Sequence, residues 1–419
     1  MILESITQTF QDYDTQSLVT TTKLLKILEK RSEFKDKLIS SFNIDENDSE
    51  IIKIGNSKSL VDSLLKLDSK CHKTDISVKI KDVHLRKMLE AEKAEFEIFN
   101  IKDEYILKNN KSDLLIGETT YSAKSDLLDY YNFSKFANYC RDKEFSDLID
   151  IIKEYLKNKN SENTDQKNLR LVHKFEDRKF YIRALTSTNG YKDFGINFSV
   201  FVALISLGEY VNKTNNEIYI SKFKVDDSHL YVSFALKNEV KVNEKISLSF
   251  NLILENDEIK RSGVSFNGIF KLKWEENDKK SEIFLKPTGV KKDDKNHPVD
   301  LLTYQHRGDV QGVFEKIQKL PDLINFFINQ VSEDAKRISS IDHPDDVRKF
   351  IRDKVKNSRK TEFKVYKSEI LKKLMSISVS NTFKLFELLR EVEDLFEHDD
   401  IVSINFWRTK LYESLIDKI

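Results

Sequence analysis

The sequence predicts an α+β protein, with a central, mostly antiparallel β-sheet module flanked by N-terminal and C-terminal helical regions. Three observations carry this expectation. Apolar and polar residues alternate at period two through much of 169–289. On either side of that stretch, apolar residues recur at helical spacing. Eight of the ten glycines fall between Gly190 and Gly312, where tight turns between strands would need them. The implied organisation is a helical region over 1–93, an α+β sheet module over 94–312 with a mobile loop at 157–168, and a helical region over 313–419.

In chain order, Leu24, Leu25, Leu28, Leu38 and Phe42, then Leu60, Val61, Leu64, Leu65 and Leu67, place helices in the first 90 residues, with a turn at 44–50 between them. Phe96–Phe99, Tyr105–Leu107 and Leu114–Ile116 read as short strands. A helical stretch over 126–156 follows, with Leu127, Phe133, Phe136, Phe145, Leu148, Ile151, Ile152 and Tyr155 as its apolar positions. The twelve residues 157–168 have no apolar side chain, which marks them as the mobile loop. Leu169, Leu171, His173 and Phe175, a turn at 176–179, and Phe180, Ile182 and Ala184 make a hairpin. Ile196, Val200, Leu204, Leu207 and Val211 share one helix face. Four strands then follow by alternation, from Ile218, Leu230, Ile246 and Val264 onward, with polar residues on the opposite face, as in a sheet with one wet side. Helices resume from Val313, with Pro321 where a first helical turn tolerates it.

Composition excludes several classes. Gly and Pro number only 10 and 4, so collagen-like and linker-like designs are out. The 28 Phe and 15 Tyr supply core material, against global disorder. Two cysteines, Cys71 and Cys140, make no disulfide framework and fit a reducing compartment. The start lacks a secretory pattern, and the longest apolar stretch, 196–207, is too short to span a bilayer, so a cytoplasmic location without membrane contact is expected. Hydrolase-elbow, P-loop and dinucleotide-binding signatures are absent.

Charge is balanced overall, 70 basic against 70 acidic residues, but it is segregated near the C-terminus. Residues 347–373 hold eleven basic and three acidic side chains, a local charge of +8, and residues 386–400 carry −6. A cationic helix can lie on phosphates and release their counterions. Alternatively, the two stretches fold back and neutralise one another, or form a solvated face.

Signals for metal chemistry are thinner. Pro344-Asp345 followed by Glu362-Phe363-Lys364 has the residue types of a metal-dependent nuclease, but Glu-x-Lys occurs four times, at Glu33, Glu239, Glu258 and Glu362, as a Lys- and Glu-rich composition gives by chance. Cys71-His72 with His84 lacks zinc spacing. His297, Asp300, His306 and Asp309 form a loose group that either binds a divalent ion or, the preferred reading, shapes a turn and caps the next helix.

Tyr181-Ile-Arg-Ala-Leu-Thr-Ser187, Tyr191, Asn197 and Val200-x-x-Ala203-Leu204, then Ser262-Gly-Val-Ser-Phe-Asn267-Gly268 and Gln305-His306-Arg307-Gly308, with Tyr105–Tyr121 upstream, resemble a phage- and plasmid-related family, domain-of-unknown-function family 932. The resemblance covers roughly residues 85–330. Thr188-Asn-Gly-Tyr191 stands where the family has Asp-Arg-Tyr, and Lys286-Pro-Thr-Gly289 where it has Cys-Thr-Asn-Gly. The resemblance implies a mobile-element setting and no established reaction; on fold grounds alone, Arg183, Ser187 and Asn267 are strand-end and turn residues.

Together these readings favour a non-enzymatic, nucleic-acid-associated accessory protein of a mobile genetic element or phage-conflict (defence) system, using no cofactor and no metal. Arg348, Lys349, Arg352, Arg359 and Lys360 are its expected phosphate contacts to DNA or RNA. Two other readings stay open. One is a protein-interaction or scaffold subunit that binds a partner protein or itself through apolar helix faces. The other is a metal-dependent nuclease built on Glu362 and Lys364 or on His306 and Asp309.

Overall fold

The computed structural model describes the chain except for residues 1–2, 30–33, 47–48, 91–92, 130–131, 189–191, 193, 260–262, 277–278, 288–289, 292–297, 300–301, 305, 307–309, 359–363, 377, 397–400 and 419. It is an α+β fold built on two main sheets, with two short two-stranded sheets, Val19–Thr20 with Ile51–Ile52 and Val290–Lys291 with Pro298–Val299, among the described residues. The large, nine-stranded sheet runs Ile6–Thr9, Ile218–Val225, His229–Leu236, Ile246–Asp257, Val264–Glu276 and Lys279–Leu285 in spatial order, with short strands added at Ile54–Gly55, Val240–Lys241 and Leu302–Tyr304. All its pairings are antiparallel except that of Ile54–Gly55 with Ile218–Val225. The small sheet orders Cys71–Lys79, Gln166–Lys174, Lys179–Ser187, Leu115–Thr119, Ala94–Ile98 and Val83–Met88.

Alternation decides what each face of the large sheet does. Phe223, Val232, Leu254, Phe266 and Phe270 are buried on one face. Against that core lies the helix Ile196–Thr214, buried through most of its length and so apolar on all sides. The helix Leu320–Ser339 and the C-terminal helix Ile401–Lys418 belong to the same core through Phe327, Trp407 and Tyr412. A second core fills the small sheet and the helices Glu104–Asn110, Ala123–Leu128, Ser134–Asp142 and Ser146–Asn160. No described helix is long and apolar enough to cross a membrane.

Several expectations change. Within 1–93, Cys71–Lys79 and Val83–Met88 are strands of the small sheet, and Ile6–Thr9 is an edge of the large one. Their pairing partners lie far along the chain, so local pattern understates them. Tyr105–Leu107 is helical, because the Asp103 side chain caps Glu104–Asn110 by accepting from the Ile106 amide. The single stretch over 126–156 is three helices. The expected mobile loop is largely structured. Residues 157–160 complete the helix Ser146–Asn160, Lys167 and Asn168 pair with both Cys71–Lys79 and Lys179–Ser187, and Gln166 pairs with the first of these, through backbone bonds that need no apolar side chain.

Candidate functional site

The strand Ile246–Asp257 ends in Glu255-Asn256-Asp257, followed by Glu258, and alternation sends these four polar residues to opposite sides. Asn256 and Glu258 turn inward, 2% and 3% exposed. Glu255 and Asp257 line a groove on the other face. The adjoining hairpin divides in the same way: Asp227 and Ser228 are buried, and His229 lines the groove.

Inside, Glu258 is the hub. Its Oε2 accepts from Lys73 Nζ (2.9 Å) and Arg183 Nη1 (2.8 Å), and its Oε1 from the Ile196 amide (2.8 Å) at the start of the helix Ile196–Thr214. The carboxylate thus also meets the positive end of that helix. Arg183 donates further to the Asp227 carbonyl (2.9 Å) and Ser228 Oγ (3.2 Å). Arg170 donates to the Glu258 carbonyl (2.5 Å) and to Asp75. Burial pushes the Glu258 carboxyl up, but Lys73, Arg183 and Arg170 outweigh it and hold the group well below the usual carboxylate range. Lys73, Asp75, Arg170 and Arg183 belong to the small sheet, whereas Asp227, Ser228 and Glu258 lie at strand ends of the large one. The cluster therefore ties the two sheets together and forms the back of the site.

Next to it, Asn256 Nδ2 donates to the Phe194 carbonyl (3.0 Å) and Ser199 Oγ (2.9 Å). That fixes Asn256 Oδ1 as the acceptor facing His306 Nε2 at 3.0 Å, so Nε2 carries the proton. His306 is buried, and its carbonyl accepts from the Lys192 amide (2.8 Å).

Outside, the groove encloses about 550 Å³. Lys224 lies opposite Tyr231, Tyr231 opposite Glu255, and His229 opposite Asp257, so these side chains share one surface of the sheet. Asn267 and Lys286 extend it, and Ile404, Asn405 and Arg408 of the C-terminal helix form a wall. Arg408 is fixed by Glu393 (Nε to Oε1, 2.9 Å) and by the Phe284 ring, 4.6 Å from its guanidinium carbon. Lys222 and Lys224 form no ion pair with any described residue. His229 Nδ1 lies 3.2 Å from Asp226 Oδ1, and this bond raises the imidazole pKa despite partial burial. Burial pushes the Glu255 carboxyl up, opposed in part by Lys286. The groove is therefore lined with cations, the carboxyls of Glu255 and Asp257, and a tyrosine face.

No family model, curated protein or solved structure matches the chain.

Among the residues expected to contact phosphate, Arg348 is a correction. It is 7% exposed, its Nε donates to Asp345 (2.7 Å), and its Nη1 to the Leu374 carbonyl, so its guanidinium faces the interior. These bonds, with the Val379 amide and Lys349, also hold the Asp345 carboxyl far below its ordinary range. Lys349 and Arg352 remain at the surface of the helix Pro344–Asn357, paired with Asp345 and Asp346 and with Asp353 respectively. Other charges of the basic stretch are matched at longer range, Lys354 by Asp417 (2.6 Å) and Lys373 by Glu391 (3.1 Å). Arg359, Lys360, Glu362, His297, Asp300 and Asp309 lie outside the described residues. Among the described residues no group of three or more His, Cys, Asp or Glu is arranged to hold a metal ion.

Of the residues that carry the family resemblance, Arg183, Asn197 and His306 gather around the start of the helix Ile196–Thr214. Asn197 Nδ2 donates there to the Ile27 carbonyl (2.7 Å) and Asp68 (2.9 Å). Asn267 lies in the groove. Sequence reading passed over Lys222, Lys224, Tyr231 and Glu255 because each looks like an ordinary solvated position of a half-buried strand. The available signal was the Lys-Phe-Lys alternation at 222–224.

Proposed function

We propose that this protein associates with nucleic acid and that a phosphate backbone lies in the groove on the open face of the large sheet. The observation that carries the reading is the pair Lys222 and Lys224, facing the groove without an acidic partner among the described residues, with Lys286 and Arg408 across it. Antiparallel sheet faces bind single strands by stacking bases on aromatic rings and running phosphates along cations. Tyr231, in the row between Lys224 and Glu255, supplies the ring. Glu255, beside Tyr231 on the same face, offers acceptor oxygens to a base edge. Lys349 and Arg352 on the basic helix are secondary contacts in this reading, since nearby carboxylates already satisfy them.

Anisotropy of a fluorescein-labelled single-stranded RNA or DNA oligonucleotide tests it. With three or four phosphates neutralised, log K should fall with log salt at a slope of about −2 to −3. Lys222→Glu with Lys224→Glu should weaken binding at low salt by on the order of a hundredfold, with a shallower slope. The pair Lys349→Glu and Arg352→Glu should have the smaller effect. Undetectable binding at low salt, or unchanged affinity in the Lys222/Lys224 variant, would overturn the assignment. A larger loss from the helix variant would move the interface to the helix.

A further inference from the structure

The helix Ser146–Asn160 carries more apolar surface than its place in the fold uses. Ile152 and Leu156 form a buried stripe that joins the core of the small sheet. A second stripe on the same helix, Leu148, Ile151 and Tyr155, is 37%, 60% and 49% exposed. Spacings of three and four residues put its members on one face. Phe145, just before the helix, and Phe136 and Tyr139, one turn apart on the preceding helix Ser134–Asp142, are exposed by 43%, 44% and 51%. The two helices pack together, and the Tyr139 and Phe145 rings meet edge to face at 6.0 Å, which joins the exposed apolar residues of one helix to those of the other, while Tyr155 also leans on Phe133 (5.4 Å between ring centres). A surface helix needs one apolar face, and this one has two.

The patch is large for a monomer. At roughly 150–250 Å² per large side chain, these exposures leave on the order of 500 Å² of apolar surface in one place, near the top of the range of about 300–600 Å² for the largest patch on a typical monomer. Two copies meeting there would cover on the order of 1,000 Å², where specific interfaces begin. The charges around the patch are ordered as well. Lys143, Glu144, Asp147 and Asp150 precede its centre at Ile151, a net −2, and Lys153, Glu154, Lys157 and Lys159 follow it, a net +2, with Asp150 paired to Lys153 (2.8 Å) on the same helix. All but Lys153 are fully exposed. An antiparallel, two-fold crossing at Ile151 sets the acidic half of each helix against the basic half of its mate, as an isologous contact requires.

We propose that this helical hairpin is a self-association surface, through which two copies of the chain pair antiparallel about Ile151. The proposal does not rest on the groove, which lies on the large sheet.

Sedimentation velocity or light scattering on the full chain over a range of concentrations should give a reversible dimer. Ile151→Asp should weaken its Kd at least tenfold without changing the far-ultraviolet circular dichroism, since the side chain is exposed. Glu144→Lys with Asp147→Lys should weaken it similarly by setting cation against cation. Adding Lys157→Glu and Lys159→Glu to that chain should restore the dimer, because both halves are then reversed. Helix-dipole effects predict the opposite for that fourfold variant, whose reversed charges oppose the dipole at both helix ends. A chain that stays monomeric at about 100 μM, well above the micromolar range of ordinary dimers, overturns the proposal. So does a dimer indifferent to Ile151→Asp, or one that the compensating reversal fails to rescue. Capture of a different protein by the patch, with no dimer, would assign the surface to that partner instead.

Discussion

Replacing Glu258 by alanine is expected to lower the free energy of unfolding by about 3–5 kcal/mol, the cost of removing one partner from a buried ionic cluster. The carboxylate is 3% exposed and joins Lys73 and Arg183 of the small sheet to the first amide of the helix Ile196–Thr214. Its removal leaves the wholly buried Arg183 guanidinium hydrogen-bonded, among the described residues, to a carbonyl and a hydroxyl and without its ion-pair partner. Urea unfolding followed by the fluorescence of Trp274 and Trp407, both buried in the main core, measures the loss. Adding Arg183→Met should recover part of it, because the double variant no longer buries an unpaired charge. A loss below about 1 kcal/mol, the range of surface pairs, would mean that the cluster does not hold the sheets together.

The same group sets an acid limit. Its pKa is depressed in the folded state, so the stability it confers is fully present above the unfolded carboxylate value of about 4.3 and is lost as pH falls through the lower folded value. Wild type should therefore lose stability steeply below about pH 4. Glu258→Gln, less stable at neutral pH, should lose less over that interval. Parallel profiles for the two proteins would remove Glu258 from the acid response.

How much of this was legible in the sequence follows from the range of each interaction. The strands from Ile218 to Val264 and onward show themselves because each buries one face and wets the other, and adjacent strands pair with neighbours in sequence. Cys71–Lys79 pairs instead with a strand about 90 residues later, and its polar first half hides the alternation of Ile76 and Val78. Tyr105 and Leu107 have strand-forming character but obey the cap at Asp103. Glu258 appeared only as one of four chance Glu-x-Lys triplets, and nothing local connects it to Arg183, 75 positions away. Charge counting over 347–373 found the excess correctly but could not see direction. Arg348 points inward because Asp345, one turn earlier, and the Leu374 carbonyl receive it, whereas Lys349, one position on, stays outside. The groove was hidden for a complementary reason: lysines on the wet face of a strand are ordinary until a helix from the far end of the chain, through Arg408, walls them in.

The second large effect is expected at Gly268. A Cβ there would overlap Phe327 Cε1 and Cζ, closer than any real contact. The Phe327 ring is 2% exposed and packs on Phe250 at 5.1 Å between ring centres, so it has nowhere to go without moving the helix Leu320–Ser339 off the sheet. Gly268→Ala should cost about 3 kcal/mol, the upper part of the overpacking range. Phe327→Ala alone should cost about 3–5 kcal/mol through the cavity it leaves. The double variant should be less destabilised than the sum, by on the order of 1–3 kcal/mol, because the truncated side chain makes room for the added methyl. Asn267 and Ile269, flanking Gly268 on the same strand, face the groove. A strand displaced toward the groove by the new methyl should therefore weaken oligonucleotide binding in Gly268→Ala even where it remains folded, and Phe327→Ala should restore that binding along with the packing. Strictly additive losses in the cycle would show that the strand and helix do not meet at this point. A folded Gly268→Ala protein that binds as wild type does would separate the helix layer from the groove.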